Sequence, residues 1–193
     1  METFDLGPAA DRVARVVAGI RDDQLGDPTP CEGTAVAGLL DHLVGLTHAF
    51  RCSAEKRPLP GQGSASADAL VADWRTRLPA QLSAMAEAWR APSAWQGMAS
   101  AGGVEMPAPA MAAVALDELV IHGWDLAVAT GQPYSVSDAD AEACTSFAGA
   151  VGESPEERLG LYGPRVAVPD EAPVFDRLLG LTGRDPGWRR PST

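Results

Sequence analysis

Along most of the chain, hydrophobic side chains recur at three- and four-residue steps, the spacing of one face of an α-helix. These stripes predict four long helices, at about 6–20, 34–55, 67–89 and 110–129. Thr34 is the expected N-cap of the second helix. Pro79 predicts a kink or a break in the third, because proline removes a backbone donor and clashes with the preceding turn. Gly131 suits the position that ends the fourth.

Segments rich in Gly, Ser and Pro separate these helices. Residues 61–66 predict an exposed connection, and residues 91–109 predict a loop with a short hairpin. The helical stripes become shorter after residue 133. They predict a helix over 137–151 that opens at Ser137, a mixed loop over 152–173, a helix over 174–181 and a tail over 184–193.

The order of these elements predicts an all-α protein, since four long amphipathic helices bury their apolar faces best against one another. We expect a four-helix bundle over residues 1–132 and a C-terminal helical extension over residues 133–193, packed on the bundle as one structural domain. A chain of 193 residues with 46% hydrophobic side chains is large enough to bury such a core.

Composition excludes several classes of partner. The 26 Asp and Glu outnumber the 15 Lys and Arg, and the net charge of −11 argues against binding to nucleic acid or to an anionic membrane surface. Three scattered cysteines predict no disulfide framework. The acidic N-terminus does not resemble a signal peptide, and no apolar run approaches the roughly 20 residues of a membrane helix. We therefore expect a cytoplasmic protein, as a monomer or homodimer.

Polar residues interrupt two of the apolar stripes. In the fourth helix, Glu118 and His122 share one face at i and i+4, while the opposite face is also apolar, so both should lie inside the bundle. In the second helix, His42 is the one ionisable member of a stripe that includes Gly38 and Gly45, which leave space beside the imidazole.

Two histidines and one carboxylate on facing helices could bind a divalent metal and leave a coordination position open. Two other interpretations stay open from the spacing alone. Glu118 and His122 could be a hydrogen-bonded core pair with His42 packed separately, or the three residues could lie on the surface.

Four further residues bear on this site. Asp125 follows His122 by three and could orient its imidazole, or it could face solvent. Cys31 precedes the second helix and is expected to be a structural, buried thiol rather than a nucleophile. His48 lies about 240° around the helix from His42 and should not join it. Arg184 falls in a segment that should only cap the last helix.

Two of these segments carry a resemblance to a known family. Thr29-Pro30-Cys31 with the later Asp41-His42 resembles the first motif of the mycothiol-dependent maleylpyruvate isomerase N-terminal family, whose members are DinB/YfiT-like metal-binding four-helix bundles. The run from Glu118 to Asp125 is similar to the second motif, "E…H.WD". The resemblance implies a DinB-like bundle in which His42, Glu118 and His122 bind a divalent metal.

The same resemblance implies a chemistry. Zinc is the expected metal, with nickel, iron or manganese as alternatives, and mycothiol is the expected thiol cosubstrate. A metal-bound thiolate would attack an electrophile, as in a thiol S-transferase or a thiol-dependent isomerase. The segment after Gly131 is shorter than the second domain of the isomerase, so the bundle's chemistry is implied rather than isomerisation of maleylpyruvate. A small metal-dependent hydrolase and a non-catalytic metal- or ligand-binding bundle are the alternatives.

Overall fold

The computed structural model describes residues 3–59, 69–152, 154–158 and 160–191, over which the chain is mostly helical. Its helices and its one hairpin follow in chain order: α1 Gly7–Gly19, α2 Val36–Ala54, α3 Trp74–Trp89, β1 Met98–Ala101, β2 Val104–Pro107, α4 Ala108–Thr130, α5 Asp138–Gly149, α6 Pro155–Arg158 and α7 Val174–Leu181.

Helices α1 to α4 form the expected four-helix bundle. Helix α3 packs against α1 and α2, and α4 packs against the same two helices from the other side. The core is built mainly from leucines and alanines at helical spacing, which pack in few rotamers and favour helix. Its largest fully buried side chains include Leu39, Leu43, Leu82, Met85 and Leu116.

The α4 helix is buried on most of its sides, as its apolar composition predicts. It ends at Gly131, whose φ of 71° lies in the left-handed region that glycine adopts without strain. The hairpin turns at Gly102 and Gly103, which have φ values of 60° and 81°, as a tight two-residue turn requires. The hairpin then leads directly into α4 at Ala108.

Three local expectations need correction. Thr34 is not the N-cap of α2, because Ala35 occupies that position and no side chain caps it. Thr34 instead accepts hydrogen bonds at its carbonyl from Thr29. Pro79 does not break α3, which continues through it to Trp89. The predicted connection at 61–66 and the predicted first residues of the third helix lie outside the described residues, and α3 begins only at Trp74.

The C-terminal extension contributes to the same hydrophobic core. Helix α5 opens at Ser137, whose hydroxyl accepts from the Asp140 amide, and it packs on α4 and α7. Cys144, Leu178 and Leu179 from this region are fully or almost fully buried with the bundle residues. The division at residue 132 into a bundle and an extension stays a prediction. Among the described residues, no helix is long and apolar enough to cross a membrane.

Candidate metal centre

The structure brings together the three residues that the sequence singles out. His42 is on α2, and Glu118 and His122 are one turn apart on α4, where the two helices face each other. Oε2 of Glu118 lies 3.0 Å from Nε2 of His122 and 3.5 Å from Nε2 of His42. The two imidazole rings are perpendicular, with their centroids 5.0 Å apart. One ligand atom from each residue lies within 4.8 Å of the others.

The contacts around Glu118 do not have the geometry of hydrogen bonds. Its Oε2 atom is shielded from solvent, yet it has no hydrogen-bond partner among the described residues. A shielded carboxylate oxygen needs a compensating charge, which either a protonated imidazole or a cation between it and the two imidazoles would supply. Imidazole nitrogen and carboxylate oxygen are also a ligand set that zinc and its neighbours accept. The residues therefore fit a divalent metal.

The charges at this cluster are strongly coupled. Burial opposes ionisation of Glu118, but the His122 and His42 imidazoles beside the carboxyl outweigh it and lower the pKa of Glu118 below its usual range. Burial likewise opposes charging of His122, but Asp125 and Glu118 raise the pKa of His122 to about 10. The two carboxylates thus favour the protonated form of His122, and a metal at Nε2 would have to displace the proton on that nitrogen.

Asp125 lies directly behind His122. Its side chain is fully buried, and its Oδ2 is 3.0 Å from Nδ1 of His122. Asp125 therefore does not face solvent, and it lies where an acceptor orients a ligating imidazole. The same carboxylate receives the guanidinium of Arg184, with Nη2 3.0 Å from Oδ2. Arg184 was expected to lie in a tail, but it is buried in the molecule.

A cavity of about 670 Å³ opens onto the three candidate ligands. One wall is the segment before α2 together with the first turns of that helix, and the other is formed by residues 160–164 and 183–184 of the extension. His42 is the most exposed of the three candidate ligands, with 35% of its side chain accessible, and His122 is the least, with 12%. The cavity is therefore large enough for a small molecule to reach the ligand atoms.

Cys31 is not the buried structural thiol that the sequence suggested. It is only half-buried, lines the cavity and lies within 4.8 Å of ligand atoms of His122 and Asp125. His48 lies outside the cavity lining, as expected, and its Nε2 is 3.8 Å from Sγ of Cys52. Gly38 lines the cavity, whereas Gly45 is exposed and does not adjoin the cluster.

Sequence reasoning missed two further polar residues near the site. Asp117 is buried beside Glu118 in sequence, and its Oδ2 accepts a hydrogen bond of 2.8 Å from the hydroxyl of Tyr162, which lines the cavity. Oδ1 of Asp117 has no partner among the described residues, and burial raises the pKa of Asp117 to about 7. Tyr162 lies in a loop without periodicity, so no pattern in the sequence pointed to this pair.

Comparison with known proteins agrees with this architecture. Residues 6–127 match the family model described as "Mycothiol maleylpyruvate isomerase N-terminal domain". The chain belongs to this family. The match contains all three candidate ligands and Asp125, and it ends before the extension that supplies Arg184.

Two further similarities extend beyond the family match. The chain is 29% identical over 183 residues to uncharacterised proteins from two strains of Mycobacterium tuberculosis, covering 91% of this chain and 93% of each relative. It also resembles the crystal structure of a variant of the mycothiol-dependent maleylpyruvate isomerase, with a TM-score of 0.54 and 17% identity. That alignment covers 75% of this chain and 65% of the isomerase, and it shows a shared fold.

Proposed function

We propose that the chain binds a divalent metal, with zinc as the first candidate, through His42, Glu118 and His122, and acts on a low-molecular-weight thiol of the mycothiol type. The observation that carries the proposal is the convergence of one shielded Glu118 oxygen and two imidazole nitrogens, 3.0 and 3.5 Å from that oxygen, at the wall of an open cavity. Membership of the mycothiol maleylpyruvate isomerase N-terminal family supports the choice of thiol.

The proposed activity is transfer or reversible addition of the thiol to an electrophile. A divalent cation at the site would supply the positive charge that keeps a bound thiol deprotonated at neutral pH. His42, Glu118 and His122 hold the cation, and Asp125 accepts the Nδ1 proton of His122 so that Nε2 faces the centre. The cavity accommodates the thiol and the electrophile next to these residues.

The residues that line the cavity determine which substrates it can accommodate. The Leu39 side chain and Gly38 form an apolar part of the wall beside His42, which suits the carbon skeleton of an electrophile. Tyr162 contributes to the opposite wall, and its hydroxyl is held by Asp117 rather than free to move. A small electrophile would therefore lie between the two walls, close to the proposed ligand atoms.

The test combines metal binding with turnover. We expect wild-type protein to bind one zinc ion and to consume a model electrophile only when mycothiol is present. His42→Ala should lose both properties, whereas His48→Ala, a histidine on the same helix outside the cavity, should keep both. Turnover of ester or amide substrates without thiol would favour a metal-dependent hydrolase instead. Wild-type protein that binds no metal would overturn the proposal.

A further inference from the structure

Arg184 links the C-terminal extension to the candidate metal centre. Its guanidinium approaches both oxygens of Asp125, with Nη2 3.0 Å from Oδ2 and Nε 3.4 Å from Oδ1. Its third nitrogen, Nη1, donates to the carbonyl of Thr182 at 2.8 Å. Arg184 therefore uses the planar fork that makes arginine, unlike lysine, suited to a carboxylate.

The backbone around Arg184 fixes the position of this fork. Gly183 has a φ of +83°, and a Cβ built on it would lie 2.9 Å from backbone atoms of Gly163 and Pro164, so the two segments touch closely here. The Arg184 amide donates to the carbonyl of Leu179 at 2.7 Å, which ties it to the end of α7. Because Leu179 is buried in the core, this bond fixes the backbone of Arg184 on the packed body of the extension, from which the guanidinium reaches Asp125.

We propose that Arg184 is a positioning residue for the metal centre, an inference that rests on the proposed function. Arg184 holds the buried Asp125 carboxylate in one orientation, and Asp125 in turn holds the His122 ring with Nε2 toward Glu118. Without Arg184, Asp125 would be a buried charge with one partner fewer, free to turn away from Nδ1 of His122. The metal centre is then complete only when the extension is docked on α4.

Arg12 of α1 provides a matched control. Only 13% of its side chain is accessible, it forms an ion pair with Asp140 of α5, and neither residue lines the cavity. Arg12→Met therefore reports the general cost of removing a largely buried arginine–aspartate pair between the bundle and the extension, while Arg184→Met removes the contact with Asp125.

The experiment measures zinc affinity by competition with a chromophoric chelator, together with the visible absorption spectrum of the cobalt-substituted protein. Arg184→Met should weaken zinc binding by about 10- to 100-fold, the usual effect of losing a group that orients a ligand. It should also alter the cobalt spectrum, because the imidazole geometry changes. Arg184→Lys should recover part of the affinity, since it keeps the charge but not the fork. Arg12→Met should leave the affinity and the spectrum at wild-type values.

The outcomes separate this inference from the proposed function. Wild-type protein that binds neither zinc nor cobalt overturns the proposed function and, with it, the role of Arg184. Wild-type binding that persists unchanged in Arg184→Met overturns the role of Arg184 alone. Should Arg184→Met fail to fold by circular dichroism, Arg184→Lys decides the question, because wild-type affinity and an unchanged cobalt spectrum in that variant would show that the fork is not needed.

Discussion

At the scale of single residues, the chemistry depends on which polar side chains interrupt an apolar face. Glu118 and His122 were predictable because the 3.6-residue period puts positions i and i+4 together on one side of a helix. His42 was predictable for the same reason, from its place on an otherwise apolar stripe. Arg184 was not, because it follows α7 in a segment without periodicity and meets Asp125 across 59 positions of sequence.

Cys31 provides a prediction about the nucleophile. Although it lines the cavity, the proposed nucleophile is the cosubstrate's thiol, so Cys31→Ser should keep zinc binding and most thiol-dependent turnover, within about threefold. His122→Ala should abolish both, because it removes one of the three proposed ligands. Parallel assays of the two variants with mycothiol and a model electrophile check this. An inactive Cys31→Ser beside an active His122→Ala would identify a cysteine enzyme instead.

Asp117 provides a pH prediction for the metal-free protein. Burial raises the pKa of Asp117 to about 7, above the usual value of 3.8, so the folded state favours the protonated acid. A raised pKa stabilises the fold fully below the unfolded value and loses that contribution as pH rises through the folded value. The contribution of Asp117 to the free energy of unfolding should therefore fall between about pH 4 and pH 7, by at most about 4 kcal/mol.

Thermal melts in the presence of chelator measure this effect. The Tm of Asp117→Asn should depend less on pH over that interval than the Tm of the wild type. Asp11→Asn, which changes an exposed aspartate on α1, should keep the wild-type pH dependence. A wild-type curve and an Asp117→Asn curve of the same shape would show that Asp117 ionises normally in the fold.

At the scale of elements, periodicity predicted the positions of the helices well. The residues expected to mark helix ends were a less accurate guide. Gly131 ended α4 as expected because its positive φ is a backbone property that few other residues share. Thr34 failed as a cap because the chain stays extended through Ala35, where a short bridge pairs Ala35 with Pro28 and Thr29 donates to the Thr34 carbonyl, so the helix begins only at Val36. Pro79 did not break α3, since tertiary packing of the flanking Leu78 and Leu82 outweighs a local preference.

Alanine substitutions at two helical glycines should change the stability of the protein in opposite directions. A Cβ on Gly45 of α2 would meet no other atom within 4 Å, so Gly45→Ala should stabilise the protein by about 0.5–1 kcal/mol through helix propensity. A Cβ on Gly180 of α7 would lie 2.6 Å from the carbonyl oxygen of Val166 and 2.5 Å from Val168, so Gly180→Ala should destabilise it by about 1–3 kcal/mol.

Urea unfolding of both variants checks these values. Gly45→Ala also tests the corrected placement of this glycine, because an exposed position away from the cavity should leave zinc affinity unchanged. A loss of zinc affinity in Gly45→Ala would instead show that Gly45 lies close enough to His42 to affect the metal centre. A neutral Gly180→Ala would show that the segment around Val166 can move away from α7.

At the scale of the whole molecule, the candidate centre joins the bundle to the extension. The bundle supplies the three proposed ligands, and the extension supplies Arg184 and one wall of the cavity. The order of helices made the bundle predictable, whereas the docking of the extension depends on contacts between segments far apart in sequence. Because the extension lies outside the matched residues 6–127, its contribution could be found only in the assembled structure.

Removal of the metal should lower the stability of the whole molecule. An ion that binds only the folded chain stabilises it by RT ln(1 + [L]/Kd), which is about 2.7 kcal/mol when free metal is 100 times Kd. For a chain of this length, that corresponds to a Tm about 5–10 °C lower after chelation. Glu118→Gln should show no such difference, because the neutral amide replaces the one anionic side chain among the three proposed ligands. An equal Tm for metal-loaded and chelated wild-type protein would mean that Glu118 and His122 are a hydrogen-bonded core pair that does not require a cation.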